Sequence, residues 1–319
     1  MREERPDILH SYLTDLVTLV LKLRFPSTKI VWGIRSSNID LSRYDRFTRV
    51  SYKLTFRLSR FADAVIANSR AGRDSHIALG YPRAKVVVIP NGIDTQRFHP
   101  DPEARRRIRS EWGIQNNEQV IGIVGRLDPV KDHPTFLQAA TSLTQTRKHL
   151  RCVCVGDGPT EYRDSLLQLT RSLKLSQYVM WLAGRSDMSA VYNGLDLLVN
   201  SSTTEGFSNV IAEAMACGVP CVATDVGDSA WLMGNLGEVV PPRDPVALTK
   251  AMGKVLDRGP CTAIQIRRRI LEQFSVEKLI DDTEQTFLTL LDRTTSAPPL
   301  SAIQAEYRGA PEKFPAGRN

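Results

Sequence analysis

The strongest constraint on this chain is the alternation of short apolar, β-branched runs with helical patterns. Runs of strand character lie at 29–32, 64–67, 86–89, 120–124, 152–155, 197–199 and 220–223. Segments of helical period, such as 136–143 and 161–173, lie between most of them. Alternation of this kind specifies a parallel sheet covered by helices on both faces. It occurs twice, and 319 residues are enough for about two domains. The turn-rich stretch IPNGIDTQRFHPDPEARR follows a strand and marks the boundary. The expectation is an α/β chain with one domain over 1–98 and another over 99–275. The proline-punctuated end, 294–319, reads as a disordered tail.

The charge is unevenly placed. Residues 1–98 hold 17 Lys and Arg against 9 Asp and Glu, and the remainder holds 25 against 26, so the first part contains the whole basic excess. Arg43, Arg46, Arg49, Lys53, Arg57 and Arg60 recur every three or four residues, with Phe47, Val50, Leu54, Leu58 and Phe61 as a second stripe. This is a basic amphipathic helix over 43–61. One reading is a solvated cationic face opposite an ordinary core face, and the other is peripheral contact with an anionic membrane or a phosphorylated acceptor. No nucleic-acid motif accompanies the charge, so no nucleic-acid partner is expected.

Composition excludes other classes. Hydrophobic residues are 42% and charged residues 24%, as in soluble globular proteins. No apolar run reaches the ~18 residues of a membrane span, and the start shows no signal-peptide core. Five cysteines at 152, 154, 217, 221 and 261 make no disulfide framework. Cys217 and Cys221 have no second ligand pair at zinc spacing, so core packing in a reducing cytoplasm is the expectation and no metal site is assigned.

The chemistry falls in the second unit. After the strand VIGIVG comes RLDPVKDHPTFLQAA, with Arg126 and Lys131 in the loop and a helix starting near Pro134. Two cations five apart over the carboxyl end of a strand suit a diphosphate, although a surface Arg and Lys beside an Asp would look the same. GDGP at 156–159 is a tight turn of low specificity. In TTEGFSNVIAEAMACGVPCVATD, Ser208 or Asn209 can cap a helix whose free N–H groups suit a phosphate. Glu205 lies just outside that helix and Glu213 about one turn inside it. Carboxylates accept hydrogen bonds from vicinal hydroxyls, so the pair suits a sugar diol and a ribose diol on either side of the phosphates.

The spacing Glu205-Gly-Phe-Ser-Asn-Val-Ile-Ala-Glu213, followed by AMACGVPCVATD, resembles the glutamate-seven-glutamate motif of the retaining glycosyltransferases of family four. PNGIDTQRF, VGRLDPVKDHPTFLQA, VGDGP and DMSAVYNGLDLLVNSS match the same family in the same order. The resemblance implies the GT-B fold, two Rossmann-like domains facing across a cleft, with the first truncated here. It implies a carboxyl-side nucleotide-sugar domain and a helix over 276–293 returning to the first domain. Position by position, Arg126 and Lys131 would hold the donor diphosphate and Glu213 the ribose hydroxyls. Glu205 would contact the transferred sugar, and Gly206, Phe207, Ser208 and Asn209 would lie around its phosphate.

No Asp-X-Asp triplet occurs, so metal-independent transfer is expected, without a cofactor, the cations and a helix N-terminus neutralising the leaving group. The implied function is retaining transfer from a nucleotide-diphosphate sugar to a saccharide or lipid-linked acceptor in cell-surface polysaccharide or glycolipid synthesis. The implied location is cytoplasmic, at the inner membrane face if the basic helix docks there. The chain opens at RPDILHSYLTD, which resembles the middle of the family's first domain, and Arg35 stands where the family tends to have a histidine. A truncated, inactive nucleotide-sugar-binding protein of the same fold is the competing expectation.

Overall fold

The computed structural model describes residues 6–12, 15–37, 45–258 and 263–291. They form two units, one running to Pro90 and resuming at Ile280, the other Asn91–Leu279. The division falls before the 98/99 boundary read from the sequence because residues 91–98 are tied into the second unit. Ile93 bridges Ser275 in parallel, and Arg267 donates to the carbonyls of Phe98 (2.8 Å) and Thr95 (3.1 Å).

The first unit runs β1 (Ile8–Ser11), α1 (Asp15–Arg24), β2 (Lys29–Ile34), α2 (Arg46–Leu58), β3 (Ala64–Ala67), α3 (Arg70–Ala78) and β4 (Val86–Val88). Its four strands pair in chain order, all parallel. Strand β3 is buried along its length, as expected of a strand covered on both faces. Trp32 is fully buried and its indole N–H donates to Thr18 at 2.9 Å, which satisfies the one polar atom its burial strands.

Helix α2 turns most of the expected apolar stripe away from the core, while Leu58 of that stripe is half-buried against it. Phe47 is 84% exposed, Val50 64%, Leu54 46% and, just beyond the helix, Phe61 51%. The core contact is made instead by Phe56, with Tyr52, Thr48, Thr55 and Ser59 half-buried or buried beside it. Phe56 and Tyr52 are one helical turn apart, with ring centroids 5.9 Å apart and planes tilted by 35°. Arg46, Arg49, Lys53, Arg57 and Arg60 are exposed next to the outward apolar stripe. Arg43 lies outside the described residues, as do Cys261 and the tail 294–319.

The second unit runs α4 (Pro102–Glu111), β5 (Gln119–Val124), α5 (His133–Thr146), β6 (Leu150–Val155), α6 (Thr160–Ser172), β7 (Val179–Leu182), α7 (Met188–Gly194), β8 (Leu197–Asn200), α8 (Asn209–Ala216), β9 (Cys221–Thr224), α9 (Ser229–Met233), β10 (Glu238–Val240), α10 (Pro245–Asp257) and α11 (Ala263–Gln273). Helix α12 (Val276–Leu290) follows; from Ile280 on it groups with the first unit, where Phe287 packs edge-on against His10 at 5.6 Å.

All six strands are parallel, in the order β10-β9-β8-β5-β6-β7. The chain builds outward from β5 through β6 to β7, then returns to the other side of β5 with β8. Alternate residues of β6 feed opposite faces: Cys152 and Cys154 enter the core beneath α5 and α10, Val153 and Val155 the core beneath α4, α7 and α8. Cys152, Cys154, Cys217 and Cys221 are all buried. Among the described residues no helix is long and apolar enough to cross a membrane.

Candidate functional site

The strand order reverses between β5 and β8, and in an open parallel sheet ligands bind outside the carboxyl ends of the strands at such a switch point. The two loops leaving β5 and β8 carry the residues singled out in the sequence, and they are tied to each other. Ser201 donates from its hydroxyl to the carbonyls of Lys131 (2.9 Å) and Asp132 (3.0 Å), and the Thr203 amide donates to Val130 at 2.8 Å.

The same stitching brings Lys131 and Glu205 together. Lys131 Nζ donates to Glu205 Oε1 at 2.5 Å, with the two side chains 21% and 13% exposed. Ser202 Oγ donates to the same oxygen at 2.7 Å, and Asn200 Nδ2 lies 3.4 Å from it. Arg126 differs: its side chain is 82% exposed and its nearest carboxylate, Asp128, is 4.0 Å away. One cation of the predicted pair is thus held against the predicted sugar-contacting carboxylate, and the other reaches into solvent.

Two glycines make this arrangement possible. Gly156, of the GDGP turn, has φ +154, and a Cβ there would lie 1.9 Å from the Gly125 carbonyl oxygen, so only glycine lets the β6 loop rest on the β5 loop. Gly227, at φ +57, backs the Glu205–Gly206 peptide, where a Cβ would come within 2.5 Å of the Glu205 carbonyl oxygen. The neighbouring Asp228 amide donates to the Gly206 carbonyl at 2.9 Å.

Ser208 occupies the N-cap position of α8, but neither it nor Asn209 closes the first turn with a side chain, contrary to the expected cap. The Ser208 hydroxyl is taken by Asn200 Nδ2 at 2.9 Å, and Asn209 Oδ1 accepts from Asn91 Nδ2 at 2.9 Å. The positive end of the helix therefore lacks a side-chain acceptor, which suits an incoming anion. Phe207 is 7% exposed and packs on Phe274 at 5.6 Å, so its side chain belongs to the core and its backbone alone is left for a ligand.

Glu213 sits deeper, half-buried on α8. Burial pushes its carboxyl above the usual range, opposed by a hydrogen bond from Tyr192 and by the charge of Arg97. Tyr192, on α7, donates from Oη to Glu213 Oε2 at 2.6 Å and is 1% exposed. Sequence reasoning missed Tyr192, Asn200 and Ser202. The NSS that follows the apolar LLV of β8 is a usable signal for the last two, since polar residues at a strand's carboxyl end face the switch point; one tyrosine in an apolar helix carries none.

His133, the first residue of α5, is fully buried with neither ring nitrogen hydrogen-bonded, and burial holds its pKa down to about 4. It abuts the loop bearing Lys131, and a neutral imidazole there adds no charge to the site.

A family described as Glycosyl transferases group 1 matches residues 118–258, and one described as Glycosyltransferase Family 4 matches residues 1–97. The chain belongs to the group 1, family four glycosyltransferases. Among its relatives is a D-inositol 3-phosphate glycosyltransferase of Corynebacterium urealyticum, 33% identical over 61% of this chain and 47% of that protein. Another is a GDP-mannose-dependent alpha-(1-6)-phosphatidylinositol monomannoside mannosyltransferase of Mycolicibacterium smegmatis, 31% identical over 63% of this chain and 54% of that protein. The match thus spans about half the length of these relatives. Among solved structures, Anabaena HepE in complex with UDP superposes with a TM-score of 0.78, 23% identity, and coverage of 88% of this chain and 78% of that one. The fold of this family four member is accordingly GT-B, built of two parallel-sheet α/β domains. In these terms both family-motif glutamates and the Lys131 of the basic pair sit around the second domain's switch point.

Proposed function

We propose that this chain is a retaining glycosyltransferase that moves a sugar from a nucleotide-diphosphate sugar to a saccharide or lipid-linked acceptor. The observation that carries the reading is the convergence of Lys131, Glu205 and the side-chain-uncapped start of α8 at the sheet's switch point, with Glu213 one turn further in. Arg126, Lys131 and the α8 N-terminus supply positive charge for a diphosphate; Glu213 accepts from ribose hydroxyls and Glu205 from the sugar. That the Anabaena neighbour binds UDP, and that a relative is named GDP-mannose-dependent, agrees with a nucleotide-sugar donor.

In the proposed reaction the bond between the sugar C1 and the diphosphate oxygen breaks, with charge accumulating on the leaving oxygen. The acceptor oxygen bonds to C1 on the same face, and its proton passes to that leaving oxygen. Lys131, Arg126 and the helix end stabilise the departing charge where a metal ion would otherwise serve. The test is a calorimetric screen of nucleotide sugars followed by turnover against saccharide and lipid-linked acceptors. Retention of anomeric configuration, with activity undiminished by excess chelator, supports the proposal; inversion, or loss that magnesium or manganese restores, contradicts it.

The setting we propose is cell-surface polysaccharide or glycolipid synthesis at the inner membrane face, with α2 as the contact. Four exposed cations with Arg60 just beyond, no acidic residue within the helix, and the outward Phe47, Val50 and Leu54 give that helix the two components of interfacial binding. The exposed stripe revises the mode of attachment. With the apolar residues available, binding combines electrostatic attraction with shallow insertion, and is only partly salt-sensitive.

A further inference from the structure

We propose that Tyr192 is a positioning residue for Glu213, orienting its carboxylate so that one oxygen is held and the other meets the ribose diol. The inference rests on the donor-site reading above. Its basis is geometric: Tyr192 Oη donates to Glu213 Oε2 at 2.6 Å, which leaves Oε1 for a ligand. The phenol has little freedom, being 1% exposed with its ring 6.0 Å from that of Phe98. A buried hydroxyl without an acceptor is costly, so α7 and α8 are locked together through this bond.

The groups facing the pair fix its charge state. Arg97 faces Glu213; Cys217, at the C-cap of α8, and Cys221, at the start of β9, face Tyr192. Burial pushes the Cys217 thiol up to about 12 and raises Cys221 and Tyr192 above their ordinary values, so all three are neutral near pH 7. Glu213 is then the group that titrates. Its burial favours the protonated form, whereas Tyr192 and Arg97 favour the carboxylate that grips hydroxyls. Removing the phenolic hydroxyl both frees the carboxylate to rotate and makes it easier to protonate.

The experiment is calorimetry of UDP and GDP, and of their 2′,3′-dideoxy counterparts, from pH 5 to pH 8. The proteins are wild type, Tyr192→Phe, Glu213→Gln and the double variant. Phe keeps the ring and its packing. The expected results are about a tenfold loss of ribonucleotide affinity for Tyr192→Phe at pH 7, a fall in affinity that begins at higher pH than in wild type, and no loss for the dideoxy ligands. In the Glu213→Gln background, Tyr192→Phe should add no further loss. Equal losses for both sugar types, or an unmoved pH profile, overturn the positioning role. If Glu213→Gln discriminates the two sugar types and Tyr192→Phe does not, the positioning claim alone fails. If neither variant discriminates them, the ribose role of Glu213 fails and this inference falls with it.

Discussion

Glu205→Gln should make nucleoside diphosphates bind more tightly while weakening the preference for the sugar-bearing form. Lys131 is paired with Glu205 at 2.5 Å, both side chains less than a quarter exposed, so a diphosphate must draw the lysine away from that partner. A hydrogen bond to a charged group contributes about 1.5–3 kcal/mol, and each 1.4 kcal/mol is tenfold in binding. Replacing the carboxylate with an amide of the same shape removes the competing charge while keeping an acceptor for Ser202. Affinity for UDP or GDP should rise about ten- to a hundredfold. The nucleotide sugar should gain less, because its hydroxyls lose a charged acceptor. Isothermal titration of UDP and UDP-glucose, and of GDP and GDP-mannose, into both proteins reads the ratio directly. A folded Glu205→Gln protein that binds the nucleoside diphosphates no better than wild type would refute the claim that this pair limits access to Lys131.

Gly227→Ala should destabilise the protein and abolish nucleotide-sugar preference, since its Cβ, at a φ of +57, would press on the Glu205–Gly206 peptide at 2.5–2.6 Å; retained preference in titrations of the folded variant would mean that the loop tolerates displacement. Stability should fall as pH drops below 6.5. The unfolded chain protonates His133 there while the folded chain refuses the proton until about pH 4, a difference of about 3 kcal/mol fully expressed below pH 4. Urea melts of His133→Asn should lose most of that slope, and an unchanged slope would assign acid sensitivity elsewhere. In vesicle sedimentation, Arg46→Glu with Arg49→Glu should remove the preference for anionic lipid, and Phe47→Ser with Val50→Ser should remove the salt-resistant part of binding. No binding to anionic vesicles at low salt would return α2 to an ordinary solvated face.

The fold was legible where strands are buried on both faces. The runs near 64–67, 120–124, 152–155 and 197–199 are central strands or their near equivalents, apolar throughout because helices cover both sides. Strands β1, β7 and β10 escaped notice because each lies at a sheet edge, short and only partly buried, so no continuous apolar run announces it. On α2 the periodicity was right and the face was wrong: the larger apolar set, Phe47, Val50 and Leu54, faces outward, and Phe56 with Tyr52 and small hydroxylic residues makes the core contact. Pattern alone does not rank two apolar stripes, because the buried one is chosen by a surface distant in sequence, here the cluster of Trp32, Ile34 and Tyr81 that receives Phe56.

At the site, spacing identified Glu205, Glu213, Arg126 and Lys131. It did not disclose that Lys131 and Glu205 pair or that Ser208 turns to Asn200, because those bonds join loops more than seventy residues apart or replace one local partner with another. Tyr192 left no trace for a related reason: its partner is 21 positions away on the next helix in the chain, and nothing local distinguishes it from a core aromatic.

The central claim is that Arg126 and Lys131, beside the start of α8, hold a diphosphate. Titration of Arg126→Ala and Lys131→Ala with a nucleoside diphosphate and with the matching monophosphate tests it most directly. A markedly larger loss of affinity for the diphosphate is expected in both variants. Equal losses for the two ligands, or none in either folded variant, would place the phosphates elsewhere.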